Sequence, residues 1–272
     1  MLTLSERVPV SEGERQELLA FARIIATEAG RAVLPFFRRP IHVENKLSDG
    51  RFDPVTEGDR AAERVLRQRI QERFPQHGVL GEEFGHEPGN GLTWVIDPID
   101  GTRAFMSGML HWGLLLALFD GQEPVIGVVY QPFTDELWSG DGVRAFHARG
   151  SMQSAIVTRP GVALSRAVMG TTNPNLIKGA ADRTRYDALE GRVRLARYGG
   201  DCYIYSVLAM GFMDIGIDGG LQAYDIQALI PIVRGAGGVI TNWAGGSAAL
   251  GGNVIACGSR PLHDEALMVL QG

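Results

Sequence analysis

Cysteine is scarce in this chain: Cys202 and Cys257 are its two examples, and they lie far apart. So thin a supply argues against a disulfide scaffold, and no C-x-x-C spacing offers a thiolate metal site. Both thiols are expected to be small buried hydrophobes in a reducing cytoplasm. Long apolar runs are also missing. None reaches the roughly 18 residues that span a bilayer, and the longest, Gly113 to Phe119, reads as a strand. Met1 to Arg7 has no basic flank leading into an apolar core, so no secretory signal is expected. These absences predict a soluble, cytoplasmic protein without membrane contact. Positive charge is short too, with 26 Lys+Arg against 31 Asp+Glu and a formal net charge of −5. A nucleic-acid partner, which demands a basic face, is therefore not expected.

Several catalytic signatures are absent. There is no G-x-S-x-G elbow and no G-x-x-x-x-G-K-[ST] loop, and no G-x-G-x-x-G follows the first strand. The histidines (His42, His77, His86, His111, His147 and His263) are scattered rather than convergent, which argues against zinc. His111 is the one to watch, since it lies just beyond the Asp97–Asp100 turn.

What is present is an ordinary globular composition, 272 residues with 45% hydrophobic and 21% charged. That length suits one large domain or two halves sharing a core. Ser11-Glu-Gly-Glu14 is a capping-box pattern, and Leu18, Leu19, Ala22, Ile25, Ala26, Ala29 and Val33 recur at helical spacing. A long first helix is predicted up to Pro35. The polar stretch from His42 to Pro54 reads as a hairpin or loop. Thr56 then opens a second helix, with Asp59 in its first turn and Ala62, Val65, Leu66 and Ile70 facing inward.

Short strands are predicted at Val79-Leu80 and Leu92 to Ile96. A meander follows from Leu114 to Asp120, Val125 to Gln131, Glu136 to Ser139 and Val143 to His147. Beyond about residue 150 strands and helices alternate. Strands are predicted at Ala167 to Thr171, Val193 to Ala196, Met213 to Ile217, Gly238 to Thr241 and Asn253 to Cys257. Helices are predicted at Asp201 to Met210, Asp225 to Arg234 and Pro261 to Leu270. The division expected is an α+β half over residues 1–150 carrying the metal-binding motifs. An α/β half over 151–272 would complete the site.

The acids carry the chemistry. In Trp94-Val-Ile-Asp-Pro-Ile-Asp-Gly-Thr102 an apolar strand ends abruptly in Asp97 and Asp100, with a proline between them and a glycine after. Proline fixes φ and glycine permits a sharp reversal, so both carboxylates should point toward one spot. Concentrated negative charge is costly there unless a cation joins it. Glu82 and Glu83 end the preceding strand, and Asp225 opens a late helix. For Asp59, Asp201 and Asp225 taken singly, helix capping is a sufficient explanation. Jointly, oxygen ligands without cysteine or convergent histidine point to Mg²⁺, with Mn²⁺ as the other option. Two such ions can polarise a phosphate oxygen, make a nucleophile of water and stabilise the leaving oxygen. The N–H groups after Asp100 and the Thr102 hydroxyl can receive phosphate oxygens.

With Gly81-Glu-Glu83, Trp94 to Thr102 and Tyr224-Asp225 in this order, the chain resembles the inositol monophosphatase superfamily over roughly residues 12 to 270. The resemblance implies a layered αβαβα sandwich of the inositol monophosphatase and fructose-bisphosphatase type. It also implies a lithium-sensitive, Mg²⁺-dependent phosphatase acting on a small phosphorylated metabolite, usually as a homodimer. By position, Glu82, Asp97, the Ile99 carbonyl and Asp100 would hold one metal, and Asp97, Asp100 and Asp225 a second. Asp59 would lie near the attacking water and a third, weaker ion. Thr102 and Glu82 would orient that water, and the Gly101 and Thr102 amides would grip phosphate. Lys46 roughly matches a lysine of a mobile loop, although the loop to Asp59 is slightly longer here.

Asp100-Gly-Thr-Arg103-Ala-Phe-Met-Ser-Gly108, Gly199-Gly-Asp-Cys-Tyr203 and Tyr224-Asp-Ile-Gln-Ala-Leu-Ile-Pro231 resemble the histidinol-phosphate phosphatases of that superfamily, which serve histidine biosynthesis. Histidinol phosphate carries an ammonium and an imidazole, so acids should line its pocket. Asp201 and Asp218 are the candidates, and either could pair with a cation. Asp201 could instead cap its helix, and Asp218 could bond a sugar hydroxyl. Arg103 could pair with one of the acids or face solvent.

Overall fold

Ser11 starts the first helix by the capping box its sequence promises: the Glu14 N–H donates to Ser11 Oγ, and the Ser11 N–H donates to Glu14 Oε2. In the computed structural model, which describes residues 2–40, 43–45 and 54–272, this helix α1 runs Glu12–Val33 and stops at Pro35. Strands β1 (Val43–Asn45) and β2 (Pro54–Thr56) pair antiparallel and lead into α2 (Glu57–Arg73), capped by Thr56. The hairpin expected over His42 to Pro54 therefore has its paired ends, while Lys46 lies outside the described residues.

The chain then lays down β3 (Gly78–Gly81), β4 (Gly85–Glu87) and β5 (Thr93–Asp100). The short helix α3 (Thr102–Met106) precedes β6 (Gly113–Phe119), β7 (Pro124–Gln131), β8 (Glu136–Gly140), β9 (Ala145–Arg149) and β10 (Met152–Ala155). These strands form an eight-stranded sheet in the order β10-β9-β8-β7-β6-β5-β3-β4. The β3–β5 pair is parallel and the others are antiparallel.

The remainder comprises β11 (Val168–Thr171), α4 (Ala180–Glu190), β12 (Leu195–Tyr198), α5 (Cys202–Ala209) and β13 (Ile215–Leu221). After these come α6 (Ala223–Ile226), α7 (Leu229–Gly235), β14 (Val239–Asn242), β15 (Gly252–Cys257) and α8 (Arg260–Gln271). The second sheet has the order β12-β11-β13-β15-β14 and is mixed: β11 is parallel to β12 and β13, and β15 is antiparallel to both its neighbours.

Three apolar clusters hold five layers together, the middle one filling both faces of the central helical layer. One lies between α1–α2 and the first sheet, with Ile25, Leu66, Trp94, Leu116 and Val128 at its centre. The next packs α5 and α7 between the two sheets through Leu115, Val129, Leu208, Ile232 and Val254. The last seats α4 and α8 on the second sheet through Tyr186, Ile217, Ile255 and Leu262. The expected αβαβα sandwich is the observed architecture. Both cysteines are free and buried. Among the described residues no helix is long and apolar enough to cross a membrane.

Several expectations need correction. The helix expected over Asp225 to Arg234 is two helices, α6 and α7, with the break just ahead of Pro231, whose missing N–H cannot sustain an unbroken ladder. The strand placed at Val193 to Ala196 starts two residues later as β12. Helix α4 and strands β4 and β10 were not anticipated; β4 and β10 carry exposed, weakly alternating residues at the sheet's edges. Leu110 to Phe119, a stretch without charge, contains β6, which lies between β5 and β7 and is buried at every residue. Its low charge reflects a central strand.

Candidate active site

Strand β5 carries the acids at its C-terminal end, where its pairing with β6 shifts between Asp97 and Asp100. The irregularity coincides with Pro98, which cannot donate to a ladder. Asp97 Oδ1 accepts from the Ile99 N–H at 3.1 Å, which folds the strand end around its own carboxylate. Gly101 follows at φ 85°, and a Cβ there would lie 2.6 Å from the His111 carbonyl oxygen. Only glycine makes that reversal without strain. Thr102 then begins α3 and donates its hydroxyl proton to the Ile99 carbonyl at 3.1 Å.

Asp97, Asp100 and Asp225 offer carboxylate oxygens within 4.8 Å of one another. Asp225 is the third residue of α6, and its Oδ2 accepts from the Gln222 N–H at 2.7 Å in a capping box. Its capping and cavity roles therefore coexist. A cavity of about 190 Å³ opens on the three acids. It is also lined by Glu82, Ile99, Gly101, Thr102, Arg103 and Asp201, and by Thr172, Leu176 and Leu221. The last three carry no motif and were not singled out in the sequence. They arrive from the loop after β11 and the end of β13, adjacencies that only the folded chain creates.

The electrostatics is that of crowded, desolvated acids. Burial raises the Asp97 carboxyl well above its ordinary range, and Glu82, Asp100, Asp225 and Asp59 push it further. Asp100 is raised for the same reason, with Asp201 and Asp225 adding repulsion and its bond from Cys202 opposing it. Burial lifts Asp225 to about 7, helped by Glu82 and Asp218. Asp59, buried on the first turn of α2, is pushed up to about 6 by burial while the Thr56 N–H and hydroxyl, both bound to its Oδ2, pull it down. A donor set made wholly of oxygen, with each carboxylate raising its neighbours' pKa, fits a hard divalent cation.

The sequence-predicted residues divide into three groups. Glu82, Asp97, Ile99, Asp100, Gly101, Thr102, Arg103, Asp201 and Asp225 share the cavity, and Asp59 stands behind it within electrostatic reach of Glu82 and Asp97. Asp201 occupies the cap position of α5 yet makes no capping bond; Asp100 supplies that bond instead, accepting from the Cys202 N–H at 2.7 Å. Burial lifts Asp201 to about 7, Asp218 raises it further, and the Arg103 guanidinium opposes the rise. Asp218 departs from expectation. It is buried at 2% exposure, accepts from the Thr171 hydroxyl, the Thr172 N–H and the Tyr205 hydroxyl, and does not line the cavity. Its oxygens are committed to protein donors, as a buried carboxylate requires. His111 meets the site through its main chain, and its ring lies against Tyr203.

A buried acid behind the cavity was missed as well. Glu63, one helical turn beyond Asp59, is wholly buried and accepts from the main-chain N–H groups of Glu83 and Phe84. A glutamate among the inward-facing Ala62, Leu66 and Ile70 was the signal that could have found it.

The model of the inositol monophosphatase family matches residues 14–271. The bifunctional phosphatase IMPL2, chloroplastic, of Arabidopsis thaliana is 34% identical over 96% of this chain and 77% of that protein. A histidinol-phosphatase of Chlorobaculum parvum is 35% identical over 86% of this chain and 89% of its own. Among solved structures, an inositol monophosphatase from Zymomonas mobilis superposes with a TM-score of 0.84 at 34% identity, covering 97% of this chain and 100% of that one. With its cluster of carboxylates on a layered αβαβα scaffold, the chain belongs to the inositol monophosphatase family.

Proposed function

We propose that this phosphatase hydrolyses L-histidinol phosphate to L-histidinol and phosphate, as a step of histidine biosynthesis, with two or three Mg²⁺ ions per site. The observation that carries the substrate choice is Asp201, a further acid facing the same cavity as Asp97, Asp100 and Asp225. A phosphate and its cations account for the first three acids. An additional carboxylate in the lining suits a leaving group that is itself a cation, such as the ammonium of histidinol.

Glu82, Asp97, the Ile99 carbonyl and Asp100 would hold one ion, and Asp97, Asp100 and Asp225 another. Bound there, magnesium polarises the phosphate and lowers the pKa of a water. Thr102 spends its only hydroxyl proton on Ile99, so toward the cavity it can only accept, which orients a water with its oxygen toward phosphorus. Glu82 accepts that water's other proton. Asp59, near 6 and adjoining Glu82, is largely ionised at neutral pH and can take up a proton there. The Gly101 and Thr102 amides receive phosphate oxygens. Arg103 opposes the rise of the Asp201 pKa and so favours its charged form, and Asp218 holds Thr171, Thr172 and Tyr205 beneath the wall. In this reading residues 1–150 bring most of the metal ligands and 151–272 complete the site with Asp225, the whole acting as a homodimer that lithium inhibits.

The alternative is inositol-1-monophosphatase or a broad-range sugar-phosphate phosphatase. It is favoured by the inositol monophosphatase structure, which is as similar as the histidinol-phosphatase. A phosphate-release panel across histidinol phosphate, inositol 1-phosphate and sugar phosphates, with Mg²⁺ and with EDTA, separates them. Fastest turnover on histidinol phosphate is expected. Comparable or inverted rates move the enzyme to the alternative.

A further inference from the structure

The Glu63 carboxylate lies at 0% exposure in the core, where an apolar side chain would cost far less. Its oxygens serve the turn that follows Glu82: Oε2 accepts from the Glu83 N–H at 2.8 Å and Oε1 from the Phe84 N–H at 3.2 Å. Arg67, one turn along α2, donates Nε to Glu63 Oε1 at 2.8 Å, and its two terminal nitrogens reach the Gly85 carbonyl and Glu87 Oε1. The Phe84 ring lies under Arg64 and Arg67, 5.5 and 6.0 Å from their guanidinium carbons. On its other side Glu82 is tied to β5, its N–H donating to the Ile96 carbonyl beside Asp97. Gly81 completes the fit, since a Cβ there would sit 1.9 Å from Glu63 Oε1.

We propose that Glu63 and Arg67 are positioning residues that fix Glu82 against Asp97 and thereby set the affinity of one cation position. The proposal rests on the reading of the acidic cavity as a magnesium site. A lone ion pair between helix faces needs no main-chain acceptor geometry. Here both carboxylate oxygens are spent on the two amides next after Glu82, and the helix that supplies them also carries Asp59. One rigid element thus holds two acids of the site in register, while β5 holds Asp97 and Asp100.

The test compares Mg²⁺-induced thermal stabilisation, measured without substrate, with the Mg²⁺ and substrate dependence of phosphate release. Glu63→Ala should raise the half-saturating Mg²⁺ about tenfold or more, lose most of the Mg²⁺-induced rise in Tm, and leave KM at saturating Mg²⁺ nearly unchanged. Glu63→Gln, which keeps an acceptor, should recover part of both losses. Should the alanine variant not fold, the glutamine variant is read on the same measures. Glu28→Ala breaks the 2.9 Å pair with Arg69 between α1 and α2, and should lower Tm in EDTA with an unaltered Mg²⁺ response. A lower Tm in EDTA with a parental Mg²⁺ response in the Glu63 variants would overturn the positioning role alone. A parental protein that neither binds Mg²⁺ nor releases phosphate would overturn the magnesium reading and this proposal with it.

Discussion

The main-chain N–H of Cys202 donates to Asp100 Oδ2 at 2.7 Å, joining the end of β5 to the start of α5 across 102 positions of sequence. One carboxylate therefore caps a helix of the second half of the chain while its charge faces the cavity. Asp100→Asn keeps an acceptor for that N–H and Asp100→Ala does not. Both should be inactive, but the alanine variant should unfold more easily by about 1 kcal/mol, the usual cost of a lost cap. Denaturant melts of the two in EDTA check this; equal stabilities would remove the capping role.

Asp97→Asn should cut turnover by about 100-fold or more, because the buried acid central to the cluster loses its charge. The same change should leave the metal-free protein no less stable, since Asp97 is repelled by Glu82, Asp100, Asp225 and Asp59. Steady-state kinetics beside thermal melts in EDTA measure both. A variant retaining near-parental turnover would move the chemistry away from these acids.

The stability of the metal-free protein should fall as pH rises. Asp59 and Asp218 titrate at about 6 and Asp201 and Asp225 at about 7 in the folded chain, all above the ordinary 3.8. Between those values the folded state holds protons that the unfolded state has released, so each unit of pH weakens folding until about pH 7. Melting from pH 4 to 8 in EDTA should show this decline. Saturating Mg²⁺ should flatten it by favouring the ionised carboxylates, and phosphate release should increase over the same range.

Asp201→Asn tests the substrate. If the Asp201 carboxylate meets an ammonium, KM for histidinol phosphate should rise about tenfold, the worth of one charge-assisted contact. KM for an uncharged sugar phosphate should change little. An equal rise for both substrates would make Asp201 a general support of the cavity wall.

Gly101→Ala should both destabilise and inactivate. The position has φ 85° and its Cβ would press on the His111 carbonyl, a conformation that costs about 1–3 kcal/mol outside glycine. Parental kinetics in this variant would show that the reversal after Asp100 tolerates a side chain.

Local chemistry wrote much of this molecule legibly. The capping boxes at Ser11 and Thr56, the helical periods of α1 and α2, and the meander of β6, β7 and β8 follow from neighbours in sequence. So does the reversal at Asp97-Pro-Ile-Asp-Gly101, because proline, glycine and a carboxylate bonding its own strand's amide act within a few residues. What tertiary structure alone decided is who shares those acids. Asp218 became a buried acceptor for Thr171, Thr172 and Tyr205, Asp201 was left free of its cap by Asp100, and Glu63 reached the turn after Glu82. A carboxylate's role is set by which donors and charges it meets once water is removed, and those partners lie many residues away, where no local pattern records them.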